Sequence, residues 1–290
     1  MKNSFYSNTD LIGLIGYPIK QSFSPFIFNV AAELTGTSLI YLPFEVHSSS
    51  LKNAVNGSIA LGLKGFNVTV PHKVKVVDYL NKLSEEAAFI GSVNTVVNED
   101  GKLIGYNTDV NGIIESLLPY KNQITGNDVC IIGAGGSARA LIYTLVRNFK
   151  PKKIFLVNRT EQHAEELKQH FKSKMKFDGI SPKELQQPDL ISIINSCALV
   201  VNTTPVGMYP ANEDSVLTIA DVFVKEQIVF DLVYNPVKTK FLQLADSKNA
   251  ITVNGLNMLV EQAAKSFMLW TGKDFPTEKV YKSLLLYVAK

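Results

Sequence analysis

Short runs of apolar, β-branched residues alternate along this chain with stretches whose apolar positions recur at helical spacing. That alternation predicts βαβ units and a largely parallel sheet, hence an α/β fold. Residues 11–16 read as a buried strand that runs through a loop at 17–23 into a helix. The helix opens at Ser24-Pro25, with Ser24 as its N-cap and proline at the first helical position. Further strands are expected at 41–46 and 63–70, with a helix near 51–61 between them. Segments 93–98 and 102–106 flank Glu99-Asp100-Gly101, a hairpin turn, and a helix follows from 108 to 118. The polar stretch 119–127 contains Pro119 and Gly126 and reads as a linker. Beyond it the pattern restarts with a strand at 128–132, a glycine loop, a helix at 137–148 and a strand at 153–157. Later strands fall at 198–202, 228–231 and 251–253, and helices at 256–271 and 277–288 close the chain. The restart marks the best domain boundary, and no internal repeat or low-complexity segment interrupts the order.

Composition narrows the class. A chain of 290 residues suggests about two domains of ~150 residues. The balance of 29 basic against 26 acidic residues, with no long basic run, argues against a nucleic-acid partner. Cys130 and Cys197 sit in apolar stretches without CxxC spacing, so no disulfide or zinc framework is expected. The four histidines are scattered without HExxH, and no catalytic metal is expected. No apolar run approaches the ~18 residues of a membrane span. Residues 11–19 are interrupted by Gly13, Gly16 and Pro18 and do not read as a signal peptide. A reduced, cytoplasmic α/β protein remains.

The clearest chemical signal joins the strand at 128–132 to its helix. Gly133-Ala134-Gly135-Gly136-Ser137-Ala138 fits GxGxxG/A in the strand–turn–helix context that the motif requires. Gly133 allows the tight turn, Gly135 lets backbone approach a pyrophosphate, and Ala138 permits close helix–sheet packing. Free amides and the helix dipole then hold the phosphate charge. After the second strand the chain reads Asn158-Arg159-Thr160. An NAD site usually carries an acid there for the ribose 2′-hydroxyl. Asn158 removes that anion, and Arg159 offers a fork for a 2′-phosphate, which favours NADP; the plainer reading of Arg159 is a solvated surface charge.

Three clusters lie in the first half. Ser22-Phe23-Ser24-Pro25 places two hydroxyls beside a helix start, suited to a small carboxylate, although Ser24 alone reads first as a cap. Asn67-Val68-Thr69-Val70-Pro71-His72-Lys73 puts Asn67, Thr69 and Lys73 at the C-terminal end of a strand, where α/β sites form. Asn94-Thr95 and Asn107-Thr108-Asp109 fall in adjacent segments, with Asp109 alternatively a simple helix cap.

Together these residues resemble the shikimate dehydrogenase family along nearly the whole chain. The resemblance also rests on Gly16-Tyr17-Pro18-Ile19, Gly91-Ser92-Val93-Asn94-Thr95, Gly105-Tyr106-Asn107-Thr108-Asp109, and 202–208 (Asn-Thr-Thr-Pro-Val-Gly-Met). Asp231-Leu232-Val233-Tyr234-Asn235-Pro236, Gly255-Leu256-Asn257-Met258-Leu259 and Gln262 complete it. It implies a substrate-binding catalytic domain at 1–118, a Rossmann-type NADP domain at 119–255, and C-terminal helices at 256–290 that return to the first domain. It implies NADPH-dependent reduction of 3-dehydroshikimate to shikimate, on the route to chorismate and the aromatic amino acids. By position, Ser22 and Ser24 would hold the substrate carboxylate with Tyr234 nearby. Thr69, Asn94 and Gln262 would bind ring hydroxyls, and Lys73 with Asp109 would be the catalytic pair. The glycine loop, Asn158, Arg159, Thr160, His163, Leu232 and Gly255 would hold the cofactor. The chain departs from the family pattern at Phe28 and Ser92, and at His163, where Lys or Arg is common; the last weakens one side of a 2′-phosphate clamp.

In that reading a Lys73 ammonium stabilises the developing alkoxide and donates the proton, with Asp109 keeping it charged. Small molecules are the only partners expected, with no nucleic acid, no membrane, and a monomer or homodimer. The rivals are a quinate/shikimate dehydrogenase using NAD or NADP, a non-catalytic ligand sensor on the same scaffold, and a two-domain folate dehydrogenase. An intact Lys73, Asp109 and glycine loop argue against the sensor, and the serine pair against the folate enzyme.

Overall fold

The computed structural model describes residues 8–186 and 189–289. The chain divides into two compact units, one made of the residues up to Asn111 and from Leu259 onward, the other of Gly112–Met258.

The first unit is built on β1 (Asp10–Gly16), α1 (Ser24–Thr35), β2 (Leu39–Glu45), α2 (Leu51–Ala60), β3 (Gly65–Val68), β4 (Lys82–Leu83), α3 (Glu85–Ile90), β5 (Thr95–Glu99) and β6 (Lys102–Tyr106). Its sheet has the order β2-β1-β3-β5-β6-β4. β1 pairs in parallel with both β2 and β3, and its residues 12–16 are buried. β4 and β6 are also parallel, so the sheet is largely parallel as expected, and β5 alone runs antiparallel, to β3 and to β6. The expected hairpin reverses the chain there. Asp100 and Gly101 both adopt positive φ, 50° and 84°, the mirrored turn whose twist matches its strands, and the Gly101 amide donates to Asn98 Oδ1. Ser24 does not cap α1. Phe23 already has helical geometry and precedes it without a side-chain cap, so Ser24 is the first helical residue and Pro25 follows within the opening turn.

The second unit begins inside α4 (Asp109–Leu117) and ends inside α10 (Leu256–Thr271). The segment read as a linker is helical in part: a 3-10 turn at Leu118–Tyr120 leads into α5 (Lys121–Ile124), whose Ile124 is buried. β7 (Asp128–Ile132), α6 (Gly136–Thr144), β8 (Lys153–Asn158), α7 (Glu161–Met175), β9 (Ile180–Glu184), α8 (Leu190–Ser196), β10 (Leu199–Asn202), β11 (Ile228–Asp231), α9 (Lys240–Asp246) and β12 (Ile251–Val253) follow. All their pairings are parallel, in the order β12-β11-β10-β7-β8-β9. The order reverses between β7 and β10, as in the doubly wound Rossmann sheet, and ligands of such sheets bind at the strand C-termini there. Cys130 and Cys197 are free thiols buried in this unit's core.

The rest of α10 and α11 (Thr277–Val288) belong to the first unit. Trp270 anchors α10 to the sheet by donating its indole N–H to the Val96 carbonyl at 2.9 Å. Gly65 makes room for it, since a Cβ there would collide with the indole and with that carbonyl. Among the described residues no helix is long and apolar enough to cross a membrane.

Candidate active site

Lys73 is delivered by the turn that follows β3. The Thr69 amide still donates to Ile15 in sheet fashion, and the His72 amide closes the turn onto the Thr69 carbonyl. The buried His72 ring lies 2.6 Å from the Val46 carbonyl, and the Lys73 carbonyl accepts from Val93. Held from both sides, Lys73 has little freedom. Asp109 arrives at the same end of the sheet, as the first residue of α4 just after β6, which runs in the direction of β3. The Lys73 ammonium donates to Asp109 Oδ2 at 2.6 Å, with side chains only 13% and 5% exposed. A buried charge pair is costly unless its geometry is good and its remaining lone pairs are satisfied.

They are satisfied. The Asn94 amide donates to Asp109 Oδ1 and to Thr108 Oγ1, both at 2.9 Å, with Gln262 Oε1 at 3.3 Å. Asn94 Oδ1 accepts the Thr108 backbone amide at 2.7 Å, which fixes which way the carboxamide points. Behind it, Asn67 donates to the Asn94 carbonyl and to Thr95 Oγ1, while accepting from the Tyr41 hydroxyl. Ser266 closes the group, 2.8 Å from Thr95 Oγ1 and 3.0 Å from Thr108 Oγ1. Four residues singled out from sequence, Lys73, Asp109, Asn94 and Gln262, are thus brought together. Asn67 stands out in the sequence only as part of a strand-end cluster, and Ser266 not at all. The one sequence signal for Ser266 is a spacing of four from Gln262, which puts both on one helix face.

Ser22 and Ser24 stand at the opening of α1, the Ser24 amide donating to Ser22 Oγ at 3.3 Å. Among the described residues no hydrogen bond joins them to the Lys73 group. Thr69 is partly exposed just past β3, and its methyl rests against Gly16, where any side chain would collide with it.

The second unit carries the nucleotide-binding features. The Gly133 amide donates to the Val157 carbonyl, tying the loop to the end of β8. Gly133 has φ +108°, and a Cβ there would stand 2.5 Å from Thr203 Oγ1. At Gly135 a Cβ would meet nothing within 4 Å. Gly135 is also the residue before α6, which starts without a side-chain cap. A bare loop, open space at its second glycine and an uncapped helix start fit a pyrophosphate, whose oxygens would take the first-turn amides. Ala138 is fully buried under that turn. Asn158 donates to the Thr160 carbonyl at 2.8 Å, shaping the loop in which Arg159 and Thr160 are exposed, and His163 is exposed in the first turn of α7. Gly255 is required by packing, since a Cβ would strike the Leu232 carbonyl.

Asp231 organises the neighbouring loops. Asn202 and the Val233 amide donate to its Oδ1 at 2.9 and 3.0 Å, and Thr239 donates to Oδ2 at 2.6 Å. Burial nevertheless wins, pushing its carboxyl up to about 7 against the pull of those donors. Tyr234 follows three residues later, partly exposed.

A buried Lys–Asp pair in one unit and a Rossmann sheet with a glycine loop in the other suit a nucleotide-dependent dehydrogenase, and that is the class this fold defines. The chain belongs to the shikimate dehydrogenase family. Residues 14–96 match the shikimate dehydrogenase substrate binding domain, 116–258 the shikimate/quinate 5-dehydrogenase domain, and 255–285 the shikimate 5′-dehydrogenase C-terminal domain. It is 43% identical over 280 residues to the shikimate dehydrogenase (NADP(+)) of Caldanaerobacter subterraneus subsp. tengcongensis, covering 96% of this chain and 97% of that one. A crystal structure of a shikimate dehydrogenase in complex with NADP+ superposes with a TM-score of 0.88 at 36% identity, covering 99% of this chain and 98% of that one. The Thermus thermophilus shikimate 5-dehydrogenase, solved with NADP(H) and shikimate, gives 0.81 at 30% identity, covering 95% and 98%.

Proposed function

We propose that this chain catalyses the reversible, NADPH-dependent reduction of 3-dehydroshikimate to shikimate. The observation that carries the chemistry is the Lys73–Asp109 pair, 2.6 Å apart and held by Asn94. The relatives' names and the ligands of the Thermus enzyme supply the substrate and the cofactor.

When bound, NADPH supplies the hydride. As negative charge gathers on the ketone oxygen, the Lys73 ammonium stabilises it and gives up the proton from Nζ. Asp109 Oδ2 holds that ammonium aimed, and Asn94 keeps Oδ1 occupied so that the carboxylate does not turn away. In the oxidative direction the same nitrogen takes the hydroxyl proton. Ser22 and Ser24 are assigned to the substrate carboxylate with Tyr234, and Thr69, Asn94 and Gln262 to the ring hydroxyls. The backbone of 133–138, with Asn158, Arg159, Thr160, His163, Leu232 and Gly255, is assigned to NADP. On this assignment the first unit is the catalytic domain and the second the cofactor domain. The enzyme acts in the cytoplasm on small molecules alone, as a monomer or homodimer; its two buried free thiols suit a reducing compartment.

The test is NADP+ reduction followed at 340 nm with shikimate, in parallel with quinate and with NAD+. Turnover of shikimate with NADP+ well above the other pairs is expected. No turnover of shikimate with either nucleotide overturns the reading.

A further inference from the structure

We infer that Ser266 is a positioning residue for the reaction, the point at which the hydroxyl hydrogen bonds behind Asn94 and Asp109 end and acquire a single direction. The inference rests on the reading of Lys73, Asp109, Asn94 and Gln262 as the reaction site.

Each hydroxyl here has one proton to give. Ser266 Oγ donates its one proton to the Gln262 carbonyl at 3.0 Å, one turn back along α10. Its oxygen is then left as an acceptor. Asn67 already donates to Thr95 Oγ1, so the proton of Thr95 must go elsewhere, and the shortest contact is Ser266 at 2.8 Å. Asn94 likewise donates to Thr108 Oγ1, and the Thr108 proton has Ser266 at 3.0 Å. Two chains therefore converge: Asn67 to Thr95 to Ser266, and Asn94 to Thr108 to Ser266. With both ending on one oxygen, both amide hydrogens of Asn94 stay committed, one to Thr108 and one to Asp109 Oδ1.

Remove the Ser266 oxygen and the two threonine protons need new acceptors. The alternatives in reach are each other's oxygen at 3.2 Å, Asn94 Oδ1, 3.1 Å from Thr95 and 3.2 Å from Thr108, and Gln262 Oε1, 3.4 Å from Thr108. Whichever threonine donates to the other, the second proton still falls on Asn94 or Gln262, residues assigned to the substrate or to Asp109. The site is sealed, Ser266, Thr95 and Asn94 being 0, 0 and 3% exposed, so bulk water does not replace the lost acceptor. Alanine is the best helix former and smaller than serine, so Ser266→Ala leaves α10 able to form.

The experiment compares wild type, Ser266→Ala, Thr108→Val and the double variant in steady-state oxidation of shikimate, with NADP+ affinity read separately by fluorescence titration. For Ser266→Ala a fall in kcat of about tenfold is expected, with the shikimate KM changed less than threefold and NADP+ affinity unchanged. A residue that only filled space would lower melting temperature without this split. Because Ser266 serves Thr95 and Thr108 together, the double variant is expected to lose less than the product of the two single losses. A Ser266→Ala kcat within twofold of wild type overturns the inference, as does a double variant whose losses simply multiply. Wild type inactive on shikimate would instead overturn the proposed function, which these outcomes leave separate.

Discussion

Around Lys73 the side chains of Asp109, Asn94, Thr108 and Ser266 are bonded to one another, whereas the loop after β7 presents bare backbone to open space. In the first unit, side chains from β3, β5, α4, α10 and the segments just before β5 and just after β6 gather around one carboxylate and one ammonium. In the second, Gly133 and Gly135 contribute by lacking side chains, and the charged residues after β8 are exposed. The difference follows from what each site must do. Dipoles that stabilise a developing charge are most effective when already fixed, because nothing then has to reorganise during the reaction. Amides that bind a phosphate must stay uncommitted, because the ligand is their partner.

The contrast is tested most severely at the charge pair. Lys73→Ala or Asp109→Ala is expected to lower turnover by about two or more decades, as for loss of a general acid, while NADP+ titration stays at the wild-type value. Near-normal turnover in both variants would return Lys73 to an ordinary lysine and dissolve the comparison. A smaller loss, of about tenfold or more in the NADP+ Michaelis constant with little change for NAD+, is expected of Arg159→Ala, which removes a charge-assisted fork from the 2′-phosphate. Asn158→Asp should move preference further toward NAD+. An unchanged nucleotide ratio in Arg159→Ala would mean that the backbone loop binds either cofactor alone.

Gly135→Ala sharpens the point about bare backbone. Its φ of −88° suits alanine and its Cβ would touch nothing, so melting temperature should hold. NADP+ affinity should nevertheless fall about tenfold, roughly 1.4 kcal/mol, because the methyl occupies the phosphate's approach. Equal affinity would place the pyrophosphate elsewhere. The smallest effect concerns Asp231. Its carboxyl is held at about 7 in the fold, above its ordinary value of 3.8. Between those values the folded state keeps a proton that the unfolded chain has lost. The group's stabilising contribution is therefore complete below about pH 4 and lost as pH rises through about 7. Asp231→Asn keeps Oδ1 for Asn202 and Val233 and offers an N–H to Thr239. The urea midpoint of this variant relative to wild type should be higher at pH 8 than at pH 5, and a pH-independent difference would show Asp231 already ionised throughout.

Some of this is legible in the residues and some is not. Strands buried on both faces announce themselves, and the readings at 128–132 and 228–231 coincide with β7 and β11. α7 escapes a reading of the pattern because only Ala164, Leu167 and Phe171 are buried in a segment otherwise polar, a stripe too narrow to stand out. α3 is six residues long and depends on the Ser84 cap for its start. Reading 119–127 as a linker weighs its polarity and misses the single buried Ile124 that holds it down. At the site, Asn94 and Gln262 lie 168 residues apart and meet only through the fold. Family resemblance names them, where spacing has no means to. Ser266 lies outside both kinds of reasoning, because a serine in an apolar helix says nothing until its neighbours are known.

The indole of Trp270 on the Val96 carbonyl has a consequence for how the protein is made. The second unit is one continuous stretch, complete once Met258 has been synthesised. The first is interrupted: its sheet is finished early, yet Gln262, Ser266 and Trp270 are made more than 150 residues after Thr108. Domains fold as units while the chain emerges from its N-terminus. During synthesis the cofactor domain can therefore close first, while the reaction site waits, with Thr95 and Thr108 lacking their common acceptor, until the last helices arrive.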